Sequence, residues 1–149
     1  MPRPRFVYMF SKLNAYETRY RLRMGEQIVG YAREIGRTRY YSKDQFWWNG
    51  AIIKHNQVDE CIGLKDINNR PLYELDIVEY ALDGDRDRIG CVLWDQNKDV
   101  FIIKDLTDTD LEVPFTLEDM SLFAAEDLRF RAYLFSQPDL MRALGVRDN

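Results

Sequence analysis

Asp66, Glu74 and Asp76 are the residues whose types and spacing first suggest chemistry. Paired carboxylates can serve as acid and base. On an extended strand Glu74 and Asp76 would share a face, about 7 Å apart. That chemistry needs a second half, and no His, Cys or Ser constellation accompanies the three acids. They are therefore expected to hold shape: Asp66 capping a turn, Glu74 and Asp76 accepting backbone N–H groups where a strand starts. The run Asp83–Arg88, "DGDRDR", has the carboxylates of a calcium loop. It also carries Arg86 and Arg88 among them and lacks the terminal bidentate Glu, so it reads as a solvated loop. His55 is the only histidine. With Cys61 and Cys91 it makes three metal ligands at best. Cys61 follows Glu60 and Cys91 lies in an apolar run, neither of them the electropositive setting of a nucleophilic thiol. Phosphate-loop, dinucleotide and nucleophile-elbow motifs are absent. The reading is no enzyme, with no catalytic residues, no metal and no cofactor.

A different chemistry is offered by the basic residues. "TRYRLRM", Thr18 to Met24, alternates strictly, placing Arg19, Arg21 and Arg23 on one face and Tyr20, Leu22 and Met24 on the other. Arg33, Arg37 and Arg39 extend that surface, with Tyr40, Tyr41, Phe46, Trp47 and Trp48 close in sequence. Arginines among aromatics suit a protein interface, where Arg, Tyr and Trp are the usual anchors. They also suit nucleic acid, through phosphate contacts and base stacking. The third reading is a sheet face that packs against an acidic half. The candidate partner-binding set is Arg19, Arg21, Arg23, Arg37, Arg39, Tyr40, Trp47 and Trp48.

Charge is divided unevenly along the chain. Residues 1–60 carry 11 Lys and Arg against 6 Asp and Glu, whereas residues 61–149 carry 10 against 19. A split of this size points to two faces or two subdomains, divided as 1–60 and 61–149. The overall net charge of −4 argues against a dedicated nucleic-acid binder. No apolar run approaches the ~20 residues that span a bilayer. The opening "MPRPRFVYMF" has no secretory pattern, so a cytoplasmic location with reduced cysteines is expected.

The elements that must position these residues are mostly strands. "RFVYMF", "TRYRLRM", "QIVGYAREIG", "RTRYY" and "QFWWNGAIIKHN" read as strands, with Asn49-Gly50 a hairpin turn setting Phe46–Trp48 opposite Ala51–Ile53. Asp66–Asn69 is a tight turn. "DIVEY" and "GCVLWDQNKDVFIIKDL" continue a meander bent at Gly90, and "EVPFTLEDM" is an edge or connector because of Pro114. Helix returns in short pieces after Ser121, ending in "QPDLMRALG" between Pro138 and Gly145. Val78, Val92, Trp94, Phe101 and Ile103 are the expected core.

The stretch "IGLKDINNRPLYELDIVEY" resembles the hallmark of the YopX-like family of phage and prophage proteins, T-G-L-x-D-x-x-G-x-x-I-Y-E-G-D-I-V. Gly63, Leu64, Asp66, Tyr73, Glu74, Asp76, Ile77 and Val78 match. "AYLFSQPDLM" is similar to that family's ending, through Tyr133, Pro138 and Leu140. The resemblance covers about residues 60–142. It implies an SH3-like β-barrel in the C-terminal half, without implying a reaction. Three positions depart: Ile62 for Thr, Asn69 for a turn Gly, and Leu75 for the Gly of E-G-D. Asn69 tolerates φ > 0. Leu75 is expected in an ordinary strand, adding to a core; a positive φ there would cost roughly 1–2 kcal/mol. The expected fold is mainly β, with a strand-rich N-terminal segment, an SH3-like barrel and a short C-terminal helix. The expected function is a non-enzymatic accessory protein in the host cytoplasm that binds a protein partner, with a nucleic-acid-binding Arg/aromatic face as the alternative. No membrane is involved, and self-association is left open.

Overall fold

Alternating apolar and polar residues between turn-forming pairs give twelve short strands among the residues that the computed structural model describes, 17–49 and 51–147. The strand expected at residues 5–10 lies outside them. The first sheet has the order β3-β2-β1-β4-β5. Its strands are β1 (Glu17–Met24), β2 (Gln27–Ile35), β3 (Thr38–Ser42), β4 (Gln57–Lys65) and β5 (Pro71–Tyr73). The second has the order β12-β6-β7-β8-β9, formed by β6 (Asp76–Leu82), β7 (Asp85–Asp95), β8 (Val100–Asp105), β9 (Glu112–Pro114) and β12 (Leu128–Tyr133). A small hairpin of β10 (Thr116–Leu117) and β11 (Met120–Ser121) stands apart. A six-residue helix, α1 (Pro138–Ala143), begins on Pro138 and is followed by Gly145. The sheets are not closed into a barrel: β9 and β12 remain edges of the second sheet, with no ladder between them among the described residues. β4 runs through position 60, so the expected division at 60/61 falls inside a strand.

Three local expectations are corrected. Phe46–Trp48 and Ala51–Ile53 form no hairpin; the described residues there join the sheet only through a bridge between Tyr41 and Asn49. Their amides are used locally instead, Phe46 and Trp47 donating to Asp44 Oδ1 and Ala51 to Asn49 Oδ1. Gly50 itself lies outside the described residues. Asp83–Arg88 is not a loop, because Asp83 and Gly84 take φ of +52° and +84° and make a two-residue hairpin turn between β6 and β7. "LRFRAY" is strand β12 rather than helix, since it finds the open edge of β6.

The main core draws Ile62 and Leu72 from the first sheet and Val78, Tyr80, Val92, Phe101 and Ile103 from the second, with Trp94 packed against it. This agrees with the core expected from the sequence. Gly90 is required by packing: a Cβ there would lie 2.2 Å from Ile103 Cγ2 and 3.0 Å from the Lys104 carbonyl oxygen. A second cluster joins Leu75, Ile77, Cys91, Leu134, Phe135 and Met141 under α1.

Leu75 is where the chain passes from one sheet to the other. It takes φ of +74° rather than a strand conformation. Two backbone bonds hold it there, Leu75 N–H to the Val92 carbonyl and Leu134 N–H to the Leu75 carbonyl. Its side chain is buried in the second cluster as expected. Burying a leucine contributes about 1.5–3 kcal/mol, enough to offset the ~1–2 kcal/mol of left-handed strain.

Candidate partner-binding surface

The alternation of β1 is real, but its arginine face turns inward. Both faces of the strand are covered: Leu22 packs with Ala32 and Tyr41 on one side, and Arg21 and Arg23 lie between the two sheets on the other. Arg21 is 2% exposed and Arg23, Asp59 and Asp76 1% each, so these arginines do not form the expected solvent-facing row.

A buried guanidinium persists only where its charge and donors are met. Arg21 Nε donates to Asp59 Oδ2 at 2.8 Å, one terminal nitrogen to Asp76 Oδ1 at 2.6 Å and the other to the Glu74 carbonyl at 2.9 Å. Arg23 makes two bonds to Asp59, at 2.8 and 2.9 Å, and a third to the Gly25 carbonyl at 2.7 Å. Aromatic rings close the cluster. Arg21 lies 5.1 Å from the Tyr73 and Tyr133 ring centroids and 4.9 Å from Phe135, and Arg23 lies 4.1 Å from Phe135. Burial works against the Arg21 cation, but Asp76 and Asp59 overcome it and push its pKa upward. Burial pushes the Asp76 carboxyl above its ordinary value, against the pull of Arg21 and of the Tyr73 N–H.

Two carboxylates of the hallmark stretch, Asp66 and Asp76, are engaged by protein donors. Asp66 Oδ1 accepts from Asn68 and Arg70 N–H, and Oδ2 from Phe130 N–H, tying the β4–β5 turn to β12. Asp76 accepts from Tyr73 N–H as well as from Arg21, while the turn at Leu75 breaks the shared face expected of Glu74 and Asp76. Cys61 and Cys91 are free and buried, and burial pushes the Cys61 thiol up to about 12. Among the described residues no His, Cys, Asp and Glu group could hold a metal ion, and no helix is long and apolar enough to cross a membrane.

The other expected residues stay at the surface. Arg19 donates to Glu17 at 2.9 Å and lies over Trp48, 5.7 Å from the ring centroid. Arg39 is bonded to Glu34 and lies 5.5 Å from the centroid of Tyr20, while Arg37 is exposed at the β2–β3 turn. Tyr40 is exposed on β3, and Trp48 is half-buried with its indole N–H on the Gln45 carbonyl. The exposed apolar side chains of this region are Phe46, Trp47 and Ile52, at 88%, 74% and 79%. Phe46 and Ile52 lie outside the predicted set; the sequence around Ile52 predicts one half of a strand pair. The loop that carries Phe46 and Trp47 is pinned: Asp44 Oδ1 accepts from Phe46 and Trp47 N–H and from the Ser42 hydroxyl, and Ser42 Oγ accepts from Gln45 N–H. No protein family, curated protein or solved structure matches the chain.

Proposed function

We propose that this is a non-enzymatic accessory protein, phage- or prophage-encoded as its resemblance to the YopX-like family implies. It acts in the host cytoplasm by docking on a protein partner and modulating a host or phage factor. The observation that carries this reading is the group of Phe46, Trp47 and Ile52, which are large, apolar and exposed. Exposed apolar groups of this kind mark interaction sites, and aromatic residues are the usual energetic anchors. The pinned backbone around Phe46 and Trp47 lowers the entropy lost on docking. The resemblance also extends to an SH3-like unit, read here in open form. The second sheet runs as a four-strand meander, β6 to β9, with its last strand returning beside the first.

The nucleic-acid alternative loses two of its three aligned arginines, since Arg21 and Arg23 are committed to Asp59 and Asp76. Affinity capture from an infected host lysate separates the two, with the parent compared to Phe46→Ala, Trp47→Ala and Ile52→Ala. These exposed positions should leave stability within about 0.5 kcal/mol. Proteins retained by the parent, resistant to nuclease and lost in the variants are the expected result. Retention that nuclease abolishes, or that survives all three changes, would overturn the reading. Self-association through the same loop would appear as a dimer of the parent that the variants lack.

A further inference from the structure

At the foot of the docking loop, between the sheets, lies a cleft of about 280 Å³ lined by Arg21, Tyr31, Gln45, Arg70, Tyr73 and Tyr133. Gln45 belongs to both loop and cleft. Arg21 is consumed by its two aspartates, but Arg70 is not: no ion pair to a carboxylate engages it among the described residues, unlike Arg21, Arg23, Arg33 and Arg39. Its guanidinium is nevertheless held in place. It lies 3.6 Å from the Phe130 ring centroid and donates one hydrogen bond, 2.6 Å, to the Tyr133 hydroxyl.

The surrounding groups are donors with capacity to spare. The Tyr31 hydroxyl makes no hydrogen bond among the described residues, its ring packing 6.0 Å from that of Tyr73. Gln45 Oε1 accepts from the Tyr73 hydroxyl at 3.1 Å, which leaves its amide N–H groups for donation. Burial raises the pKa of both Tyr31 and Tyr73, so at neutral pH they are phenols. Arg21 and Arg23 are matched by Asp59 and Asp76, and Asp66 is engaged by backbone N–H groups, so the Arg70 guanidinium is the cation at the cleft with no carboxylate in an ion pair among the described residues. A single planar guanidinium, a phenol and an amide suit a monoanionic oxyanion, and the guanidinium fork matches a carboxylate. The volume lies below the ~300–1,000 Å³ of drug-sized sites, which fits one acidic side chain.

We propose that this cleft binds a carboxylate, presented as an Asp or Glu side chain by the partner that docks on the loop. The choice of donor for that carboxylate rests on the docking reading; the carboxylate site itself does not.

The test titrates N-acetyl-glutamate amide into the intact protein, observed by NMR at the Arg70 Nε–H and at the backbone amides of Tyr31 and Gln45. Saturable shifts with a millimolar dissociation constant are expected, and none with N-acetyl-glutamine amide. Arg70→Gln should weaken binding about tenfold or more, as removal of a charged hydrogen-bond partner does. Tyr31→Phe should weaken it less, and Lys98→Gln, at the exposed β7–β8 turn, not at all. No saturable shift at Arg70 with about 50 mM probe, well above a millimolar constant, would overturn the site. Tighter binding of inorganic phosphate would overturn the carboxylate assignment, and tighter binding of glutarate would replace the side chain with a small free acid. Phe46→Ala and Trp47→Ala should leave the titration unchanged. Capture that survives Phe46→Ala and Trp47→Ala, with intact cleft shifts, therefore refutes the docking reading alone, and capture that these changes abolish, with no saturable cleft shifts in the parent, refutes the cleft alone.

Discussion

Arg21→Met is the sharpest perturbation of the joint between the sheets. Methionine keeps an unbranched chain among Tyr73, Tyr133 and Phe135 but removes three hydrogen bonds, to Asp59, Asp76 and the Glu74 carbonyl. Asp59 keeps Arg23, whereas Asp76, 1% exposed, is left with the Tyr73 N–H. Breaking a buried pair by removing one partner costs about 3–5 kcal/mol. At ~2–4 °C per kcal/mol for a chain of this size, Tm should fall by roughly 6–20 °C. The loss should also depend on pH in a definite direction. With Arg21 gone, the Tyr73 bond and the charge of Arg70 are left to oppose the burial that already raises Asp76, so the folded variant takes up a proton at a pH where the unfolded chain, near 3.8, does not. The variant's deficit should thus be full at pH 7 and shrink as pH falls toward 4.5, while Arg21→Met/Asp76→Asn should recover part of the deficit at pH 7. Urea unfolding followed by tryptophan fluorescence at both pH values measures each term. A variant within about 0.5 kcal/mol of the parent at pH 7, the usual effect of a surface change, would refute the buried ion-pair reasoning.

Other consequences follow from the same geometry. Cys61 and Cys91 should resist a thiol reagent in the native protein at pH 8 and both react after denaturation, since burial holds Cys61 at about 12; rapid native labelling would contradict their placement. Gly90→Ala drives a Cβ into Ile103 and the Lys104 carbonyl and should cost about 1–3 kcal/mol of overpacking, read as an earlier urea midpoint, with an unchanged midpoint counting against the close approach of β7 and β8. Asp105 is pulled up by burial but held below its usual 3.8 by the N–H groups of Asp108 and Thr107 and by the Tyr80 hydroxyl. Its contribution is present above that pH and lost as pH falls through the folded value, so Asp105→Asn should flatten the acid limb of the stability profile.

The two faces of β1 were legible in its alternation, and so was the choice between a surface row and packing against the acidic half. What decides between them is Asp59 and Asp76, 38 and 55 residues away from Arg21, and no local pattern reports a partner at that distance. The meander around Gln96–Lys98, the Asp66 turn and the Pro138 helix start were legible because each rests on neighbouring residues. "LRFRAY" was missed because its strand identity depends on the free edge of β6. Leu75 was misread because its backbone is set by Val92 and Leu134, on elements formed later in the chain. Of the proposed surface, Trp47 belongs to the set expected from sequence, while Arg70 and Tyr133 entered only when β12 brought them together.

The buried arginine cluster also sets an order of events during synthesis. A nascent chain that has produced β1 to β3 lacks the two aspartates, Asp59 and Asp76, that meet Arg21 and Arg23 in the folded protein. The hydrated guanidinium groups keep that face of the first sheet in water. Closure waits for β4 to supply Asp59 and β6 to supply Asp76, and then for β12 to bring Tyr133 over Arg21. Long-range pairings of this kind slow folding. Here the same charges leave that face of the first sheet polar until the late half of the chain covers it.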